Sequence, residues 1–111
     1  MAKKQTMDHA QLLVLSLLAG EDMYGYQMIT RLEEQSDHTF EMKEGTLYPI
    51  LHGLEKEGAV RAYLMEAPNG RQRKYYHLTE QGKELLQTEK AEWQAYSRAV
   101  NAVLSSALGT A

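Results

Sequence analysis

Apolar positions between Lys43 and Gly58, in the segment KEGTLYPILHGLEKEG, recur with the period of an α-helix. They stand at i, i+3, i+4 and i+7 and are Leu47, Ile50, Leu51 and Leu54. The opposite side carries small, hydrogen-bonding or cationic residues: Thr46, Tyr48, Pro49, His52, Gly53 and Lys56. Gly58 supplies the left-handed residue on which helices often end. The pattern predicts a short helix with one buried face and one polar face of low relief.

Pro49 lies several residues inside this predicted helix, although proline removes a backbone hydrogen bond from a helix interior. Two arrangements are compatible with it. Either the regular helix begins near Thr46, which places Pro49 in the first turn, or the helix begins earlier with an irregular first turn. The sequence leaves both open.

Two more helices are predicted before this segment. The run LLVLSLLA predicts a first helix from about residue 8, with Asp8 as its cap, to about residue 19. This run is apolar almost all round, so we expect it to be buried on more than one side. A second helix is expected from about Tyr24 to Glu34, where Gly25 permits close approach by a neighbouring chain or by DNA backbone. With the polar connection of residues 35–41, the second and third helices form a helix-turn-helix layout.

A β-hairpin is predicted directly after the third helix. Val60–Glu66 alternates and is rich in strand-forming residues, Ala67–Gly70 is a turn signal, and Arg73–Thr79 forms the return strand. Two strands alone are marginal in water, so the hairpin must pack on the helices. A hairpin at this place is a wing, and the predicted fold is mainly α with a small β-hairpin.

A long last helix follows, capped by Thr79 and continuing to about Leu104 or beyond. Residues spaced by seven, with two more at d-like positions, form a heptad stripe: Leu86, Trp93, Val100 and Ala107, with Tyr96 and Val103. The stripe is too short for an independent coiled coil but adequate for packing against another helix. We therefore divide the chain into residues 1–79, a DNA-binding winged helix-turn-helix, and residues 80–111, a dimerisation helix and tail.

Composition restricts the class of protein. With 111 residues there is room for one ordinary domain, and with no cysteine there are neither disulfides nor thiolate metal sites. The four histidines lie in different elements without ligand-like spacing, and no catalytic motif is present. We expect neither an enzyme nor a protein with a cofactor or metal. The apolar run from Leu12 to Ala19 is far shorter than the roughly 20 residues of a membrane span, so we expect no membrane segment and a cytoplasmic location.

The distribution of charge matters more than its net value of −3. Eight acidic residues oppose Arg31 and Lys43 between residues 8 and 44, whereas four cations oppose Glu66 alone between residues 60 and 79. Three of these cations lie at or next to the predicted hairpin tip: Arg71, Arg73 and Lys74. They form either a solvated loop or, with the preceding helix, a surface for DNA phosphates and a groove; we favour the second.

The chain resembles the PadR family of transcriptional regulators over about residues 8–105. The most specific matches are the GTLYP segment within EGTLYPILHGLEKEGAV and the RKYYHLT segment within GRQRKYYHLTEQGKELL; LLVLSLLAGEDMYGYQMITRLEE also matches. The short C-terminal part with a central tryptophan is similar to a small subgroup that includes multidrug-sensing repressors. The resemblance implies a winged helix-turn-helix homodimer that binds a two-fold-symmetric operator in double-stranded DNA. The acidic net charge departs from what DNA binding would favour.

The resemblance also implies roles for individual residues in three parts of the fold. The helix with GTLYP would enter the major groove, the second helix would approach phosphates, and the wing would touch backbone or minor groove. The DNA-binding residues would be Tyr24, Gly25, Lys43, Thr46, Tyr48, Pro49, His52, Arg71, Arg73 and Lys74. The dimer interface would include Leu12, Leu15, Leu86, Trp93, Tyr96, Val100 and Val103.

Trp93 and Tyr96 allow two interpretations. They fill a dimer interface, or they line a cleft between subunits where flat apolar ligands such as planar aromatics stack. The resemblance implies a repressor that is released from DNA by a small molecule, often a planar aromatic or phenolic compound. A different class of function, a winged-helix dimer that acts as a protein-interaction adaptor without an operator, is favoured only by the net negative charge.

Overall fold

A computed structural model of the chain describes residues 9–107. Within them the elements follow the order α1 (Ala10–Gly20), β1 (Met23–Tyr24), α2 (Gly25–Gln35), α3 (Glu44–Lys56), β2 (Val60–Glu66), β3 (Gln72–Leu78) and α4 (Glu80–Ala107). The strands form one antiparallel sheet in the order β1-β3-β2. The predicted mainly helical fold with a β-hairpin is confirmed, and β1 is an addition to it.

The hydrophobic core forms where α1, α2 and α3 meet one face of the sheet. Leu47, Leu51 and Leu54 of α3 are fully buried, as the periodic pattern predicts. α1 also contributes one broad face to the core, whereas Ser16 and Ala19 on its other side are exposed, so the expected burial on more than one side is not seen in a single chain. The buried residues of α1 are Ala10, Val14, Leu15, Leu17 and Leu18. From the sheet, Tyr76 and Leu78 close the core. The three helices and the hairpin therefore form one body, on which the wing is supported.

Helix starts differ in detail from the predictions. Asp8, the predicted cap of the first helix, lies outside the described residues; His9 precedes α1 without a capping side-chain bond. Tyr24 is paired with Tyr75 in the sheet, so α2 begins at Gly25. The return strand runs from Gln72 to Leu78, one residue earlier at each end than expected.

The structure resolves the two alternatives for Pro49. α3 begins at Glu44, and the Lys43 carbonyl accepts hydrogen bonds from the backbone N–H groups of Thr46 and Leu47, each at 2.9 Å. Pro49 therefore lies inside the helix, where it cannot bond the carbonyl of Gly45. Gly45 and Pro49 are both exposed residues, so the missing bond lies on the solvent side of α3 and not in the core.

α4 begins at the base of the wing and extends beyond the body. The Thr79 hydroxyl accepts a hydrogen bond from the Gly82 N–H at 3.0 Å, which confirms the predicted cap. With 28 residues, α4 is about 42 Å long. The radius of gyration is 16.6 Å, compared with about 13 Å for a compact chain of this length. The far part of α4 therefore projects from the body, and its residues from Arg98 to Ala107 are all exposed.

Candidate nucleic-acid interface

The outer face of α3 is polar and exposed along its length. Thr46, Pro49 and His52 all lie on this face, opposite the buried leucines. Lys43, at the N-cap position, is exposed as well. A helix with small and hydrogen-bonding side chains outward presents little relief, so its surface can follow the edges of base pairs in a groove about 12 Å wide.

Tyr48 and Gly25 lie against each other. A Cβ atom added to Gly25 would stand 2.8 Å from Cζ of Tyr48 and closer still to its hydroxyl oxygen. The close approach expected at Gly25 is therefore made by a side chain of the same protein, and Gly25 is buried beneath it. Half-buried Tyr48 connects α3 to the start of α2, while its ring remains 6.5 Å from that of exposed His52.

A row of three tyrosines crosses the outer face of the sheet. Tyr24, Tyr75 and Tyr63 lie on neighbouring strands in register. The Tyr63 and Tyr75 rings stack 5.8 Å apart, and the Tyr24 ring meets Tyr75 edge-on at 5.4 Å. The guanidinium of Arg73 lies 4.4 Å above the Tyr24 ring, a cation–π contact. Tyr24 and Arg73, both predicted to approach DNA, are thus held together, and their contact orients the wing relative to α2.

Asp22 joins β1 to both strands of the wing. Its carboxylate accepts a hydrogen bond from the Tyr63 hydroxyl at 2.7 Å and lies 2.9 Å from Nδ1 of His77, which must donate because an ionised carboxylate only accepts. Burial raises the pKa of Asp22, but the hydrogen bonds of Tyr63 and His77 outweigh it, and the pKa falls below its usual 3.8. The bond to Asp22 raises the pKa of Tyr63. These three side chains brace the base of the wing.

This bracing cluster is absent from the sequence predictions. The alternation in β2 and β3 carries a signal for part of it, since Tyr63 and His77 both fall on the outer face. Asp22 has no such signal, because its partners lie 41 and 55 residues further along the chain.

The wing tip carries its cations on the surface. Arg71 and Lys74 are exposed, and Arg73 is partly covered by its contact with Tyr24. The Asn69 side chain accepts a hydrogen bond from the Arg71 N–H at 3.0 Å, which fixes the turn. Lys74 extends along the other face of the hairpin, with Nζ 5.8 Å from the Tyr76 ring. The tip therefore presents positive charge on both of its faces.

A cleft lies between the start of α1 and the middle of α4. It encloses about 440 Å³, and the indole of Trp93 meets the His9 ring edge-on at 4.8 Å and the Tyr96 ring at 6.0 Å. Gln11 bonds Glu89 across it. Trp93 is 39% exposed and Tyr96 61% exposed, so one chain alone does not close the cleft.

The residues predicted for the dimer interface divide into two groups. Leu15 and Leu86 are buried in the core of one chain, where α1 and α4 pack on each other, so they keep little surface for a partner. Leu12 is half-buried between the same helices. The others lie further along α4 with free surface: Trp93, Tyr96, Val100 and Val103, to which the structure adds Leu104.

Hydrogen bonds connect the end of α3 to the start of α4. The Thr79 hydroxyl donates to the Gly58 carbonyl at 2.7 Å, and the Thr79 N–H to that of Ala59 at 3.0 Å. The Gln81 side chain donates to the Glu57 carbonyl at 2.8 Å. The base of α4 and the end of α3, the helix predicted to enter the major groove, are thus held as one unit.

Within residues 9–107 no cluster of His, Asp and Glu side chains is arranged to hold a metal ion. None of the helices in the same range combines the length and hydropathy of a membrane span.

The chain is similar to known transcriptional regulators in both sequence and structure. A model of the PadR-like family of transcriptional regulators matches residues 14–88, more than half of the chain. A transcriptional regulator from Clostridium thermocellum has a similar structure, with a TM-score of 0.78 and 30% identity over 85% of this chain and 91% of that one. A PadR family transcription regulator from Clostridium difficile is similar with a TM-score of 0.73 and 32% identity, over 86% of this chain and 98% of that one. The transcriptional regulator YqjI of Escherichia coli is 29% identical over 85% of this chain, which spans only 46% of YqjI.

Proposed function

The chain belongs to the PadR-like family of transcriptional regulators, and from that premise we propose that it is a homodimer that binds a two-fold-symmetric DNA operator. We further propose that it represses transcription until a small planar aromatic or phenolic effector binds between the subunits. The observation that carries the proposal is the arrangement of α3, which buries its leucines and leaves Thr46, Pro49 and His52 exposed.

In the proposed complex α3 lies in the major groove. Thr46 and His52 offer hydrogen-bonding groups to base edges, and Pro49 offers an apolar surface that suits a thymine methyl group. Lys43 at the start of the helix contacts a phosphate. Tyr48 is covered by its contact with Gly25, so its role is to fix the position of α3, with only the free part of its ring beside His52 available to DNA.

Arg71 and Lys74 on the wing neutralise phosphates beside the groove that α3 occupies. Arg73 contributes through the wing as a whole, because its guanidinium is stacked on Tyr24. Phosphate contacts supply affinity without sequence preference, whereas contacts from α3 to bases supply specificity. The two surfaces therefore make separable contributions to binding.

The dimer forms through α4 in this proposal. Trp93, Tyr96, Val100 and Val103 follow each other at intervals of three and four residues and keep large exposed areas on one chain. Large apolar surfaces on a single helix need a partner, and a second α4 offers the same stripe. The α3 helices of the two subunits should then lie about 34–36 Å apart, which is one turn of DNA.

An effector acts by preferring one arrangement of the two α4 helices. The cleft beside Trp93 and Tyr96 offers aromatic surfaces for stacking. Because Thr79 and Gln81 hold the end of α3 to the base of α4, a changed angle between the α4 helices would also change the separation of the α3 helices. Coupling of this kind is typically about 1–3 kcal/mol.

A mobility-shift assay with the DNA upstream of the chain's own gene tests operator binding. We expect a retarded complex whose affinity falls with salt, and replacement of Arg71 or Lys74 by Ala should lower the salt slope by about 1 each. Lys83→Ala is the matched control, because Lys83 is an exposed lysine on α4 paired with Glu80. An unchanged slope in the wing variants would remove the wing from the DNA site.

Trp93 fluorescence tests the effector site, since Trp93 is the sole tryptophan of the chain. Planar aromatic compounds that release DNA should change its emission. If a panel of such compounds never alters the fluorescence while DNA binding is intact, the cleft is a structural interface only.

The net charge of −3 favours one second candidate, an adaptor that binds another protein and no operator. The same mobility-shift assay separates the two functions, because an adaptor would leave the DNA free at low salt.

A further inference from the structure

Leu64 is a large apolar residue on the outer half of the wing, and it is 64% exposed. It lies beyond the core, two residues past half-buried Ala62 on the same strand. Lys74 on the neighbouring strand, β3, lies directly opposite Leu64. Leu64 is not part of the core of the described residues, so its apolar surface is free to contact a partner.

The face of the hairpin that carries Leu64 can be assigned from the register. Opposed residues share a face and the faces alternate along a strand, so Leu64 and Lys74 continue the face of Ala62 and buried Tyr76. This face lies beside α3: burial raises the pKa of Tyr76, and the nearby groups Glu55 and Tyr48 of α3 raise it further. Leu64 and Lys74 therefore extend from the flank of α3.

Met65 provides an internal comparison. It is 52% exposed, adjacent in sequence and similar in size, but it lies on the opposite face, opposite Arg73. Arg73 is turned toward Tyr24 on the outer face of the sheet. The two apolar side chains at the end of the wing thus point away from each other, and only that of Leu64 lies on the side of α3.

We propose that Leu64 is a specificity-determining residue, an apolar wedge that enters the DNA minor groove beside the site of α3 while Lys74 holds the adjacent phosphate. The inference rests on the proposed function and adds to it a contact that carries no charge. The minor groove is about 6 Å wide and lined by sugars, so a leucine there leaves water, and apolar wedges in this groove widen it or unstack a base step.

Insertion of Leu64 into the minor groove would favour DNA that deforms easily at that position, although the protein makes no hydrogen bond to the bases there. Pyrimidine–purine steps such as TA deform at lower cost than G·C-rich sequence. The operator flank that meets the wing should therefore favour a TA step, and the preference should depend on the volume of the side chain at position 64.

The test uses duplexes selected by the wild-type protein from a randomised library, with the flank base pairs then set to a TA step or to G·C pairs. Leu64→Ala should weaken binding to the TA duplex about tenfold, since about half of a leucine's transfer free energy is lost. It should also reduce the discrimination between the two flanks, with an unchanged salt slope. Leu64→Met should retain the wild-type behaviour, and Met65→Ala is the matched control.

Three results would overturn the inference: wild-type affinity and flank discrimination in Leu64→Ala, an equal loss in Met65→Ala, or a change of oligomeric state in Leu64→Ala without DNA, which would assign Leu64 to a protein contact. These results are distinguishable from failure of the proposed function, in which the wild-type protein itself selects no duplex and both proposals fall together.

Discussion

Gly82 lies in the first turn of α4, against the backbone that follows α3. A Cβ atom at this position would stand 2.6 Å from Cδ1 of Leu78 and closer still to the carbonyl oxygen of Ala59. The oxygen belongs to backbone and also accepts the hydrogen bond of the Thr79 N–H at 3.0 Å, so it cannot rotate away. Gly82→Ala must therefore shift the base of α4 away from the body.

The size of the effect follows from three contributions. Overpacking of this kind costs about 1–3 kcal/mol. Displacement of α4 also weakens the Thr79 cap, worth about 1 kcal/mol, while the better helix propensity of alanine returns about 1 kcal/mol. We therefore expect a net loss of about 1–3 kcal/mol, dominated by the contact with Ala59.

Thermal unfolding at fixed protein concentration measures the change, because the stability of the proposed dimer would depend on protein concentration. Each kcal/mol should lower Tm by about 4–8 °C for a domain of this size. Gly53→Ala is the matched control: it also lies inside a helix, nothing lies within 4 Å of its added Cβ, and it should gain about 0.5–1 kcal/mol. A Tm for Gly82→Ala equal to or above that of wild type would refute the packing argument.

Three further predictions concern the wing, the interface and the reading helix. Because the pKa of Asp22 is lowered in the folded state, its ionised carboxylate stabilises the fold at pH values above the usual pKa of 3.8, and this stabilisation is lost as the pH falls through the lower folded-state pKa. Urea unfolding should therefore show that Asp22→Asn is less stable than wild type at neutral pH. The difference in the free energy of unfolding should shrink below pH 3.8. Trp93→Ala should weaken the proposed dimer by about 2 kcal/mol in sedimentation equilibrium, and an unchanged association would place Trp93 outside the interface. His52→Ala should change base preference in a duplex selection more than overall affinity, by about 1–3 kcal/mol at one base pair; uniform weakening would mean that His52 positions the helix and does not specify sequence.

The sequence was sufficient for elements whose causes are local. Val60–Glu66 has the predicted bounds, because alternation and the Asn69-Gly70 turn act within a few residues. The same holds for the Thr79 cap, which bonds the N–H three residues later. In these places the periodicity of side chains or the geometry of a turn determines the structure without help from distant residues.

Other features depend on residues that are distant in sequence. β1 is only two residues long, and it exists because Met23 and Tyr24 meet Tyr76 and Tyr75 across half of the chain. The early start of α3 has the same origin, since the buried Leu47 keeps the first turn helical despite Pro49. At Gly25 the sequence indicates that another group approaches the backbone closely, but it does not identify that group, which in the structure is the side chain of Tyr48.

The net charge of −3 is the main observation against DNA binding. Because the molecule is elongated, much of this charge can lie far from a bound phosphate. At physiological salt, charges more than about 8 Å apart are largely screened. The chain extends over 60 Å, and Glu92 lies about 18 Å along α4 from the base of the wing. A phosphate beside Arg71 and Lys74 therefore responds to those cations far more than to a distant carboxylate such as that of Glu92. The net charge should instead affect how fast DNA approaches at low salt, where screening is weak, and the affinity of the bound state should follow the local surface of α3 and the wing.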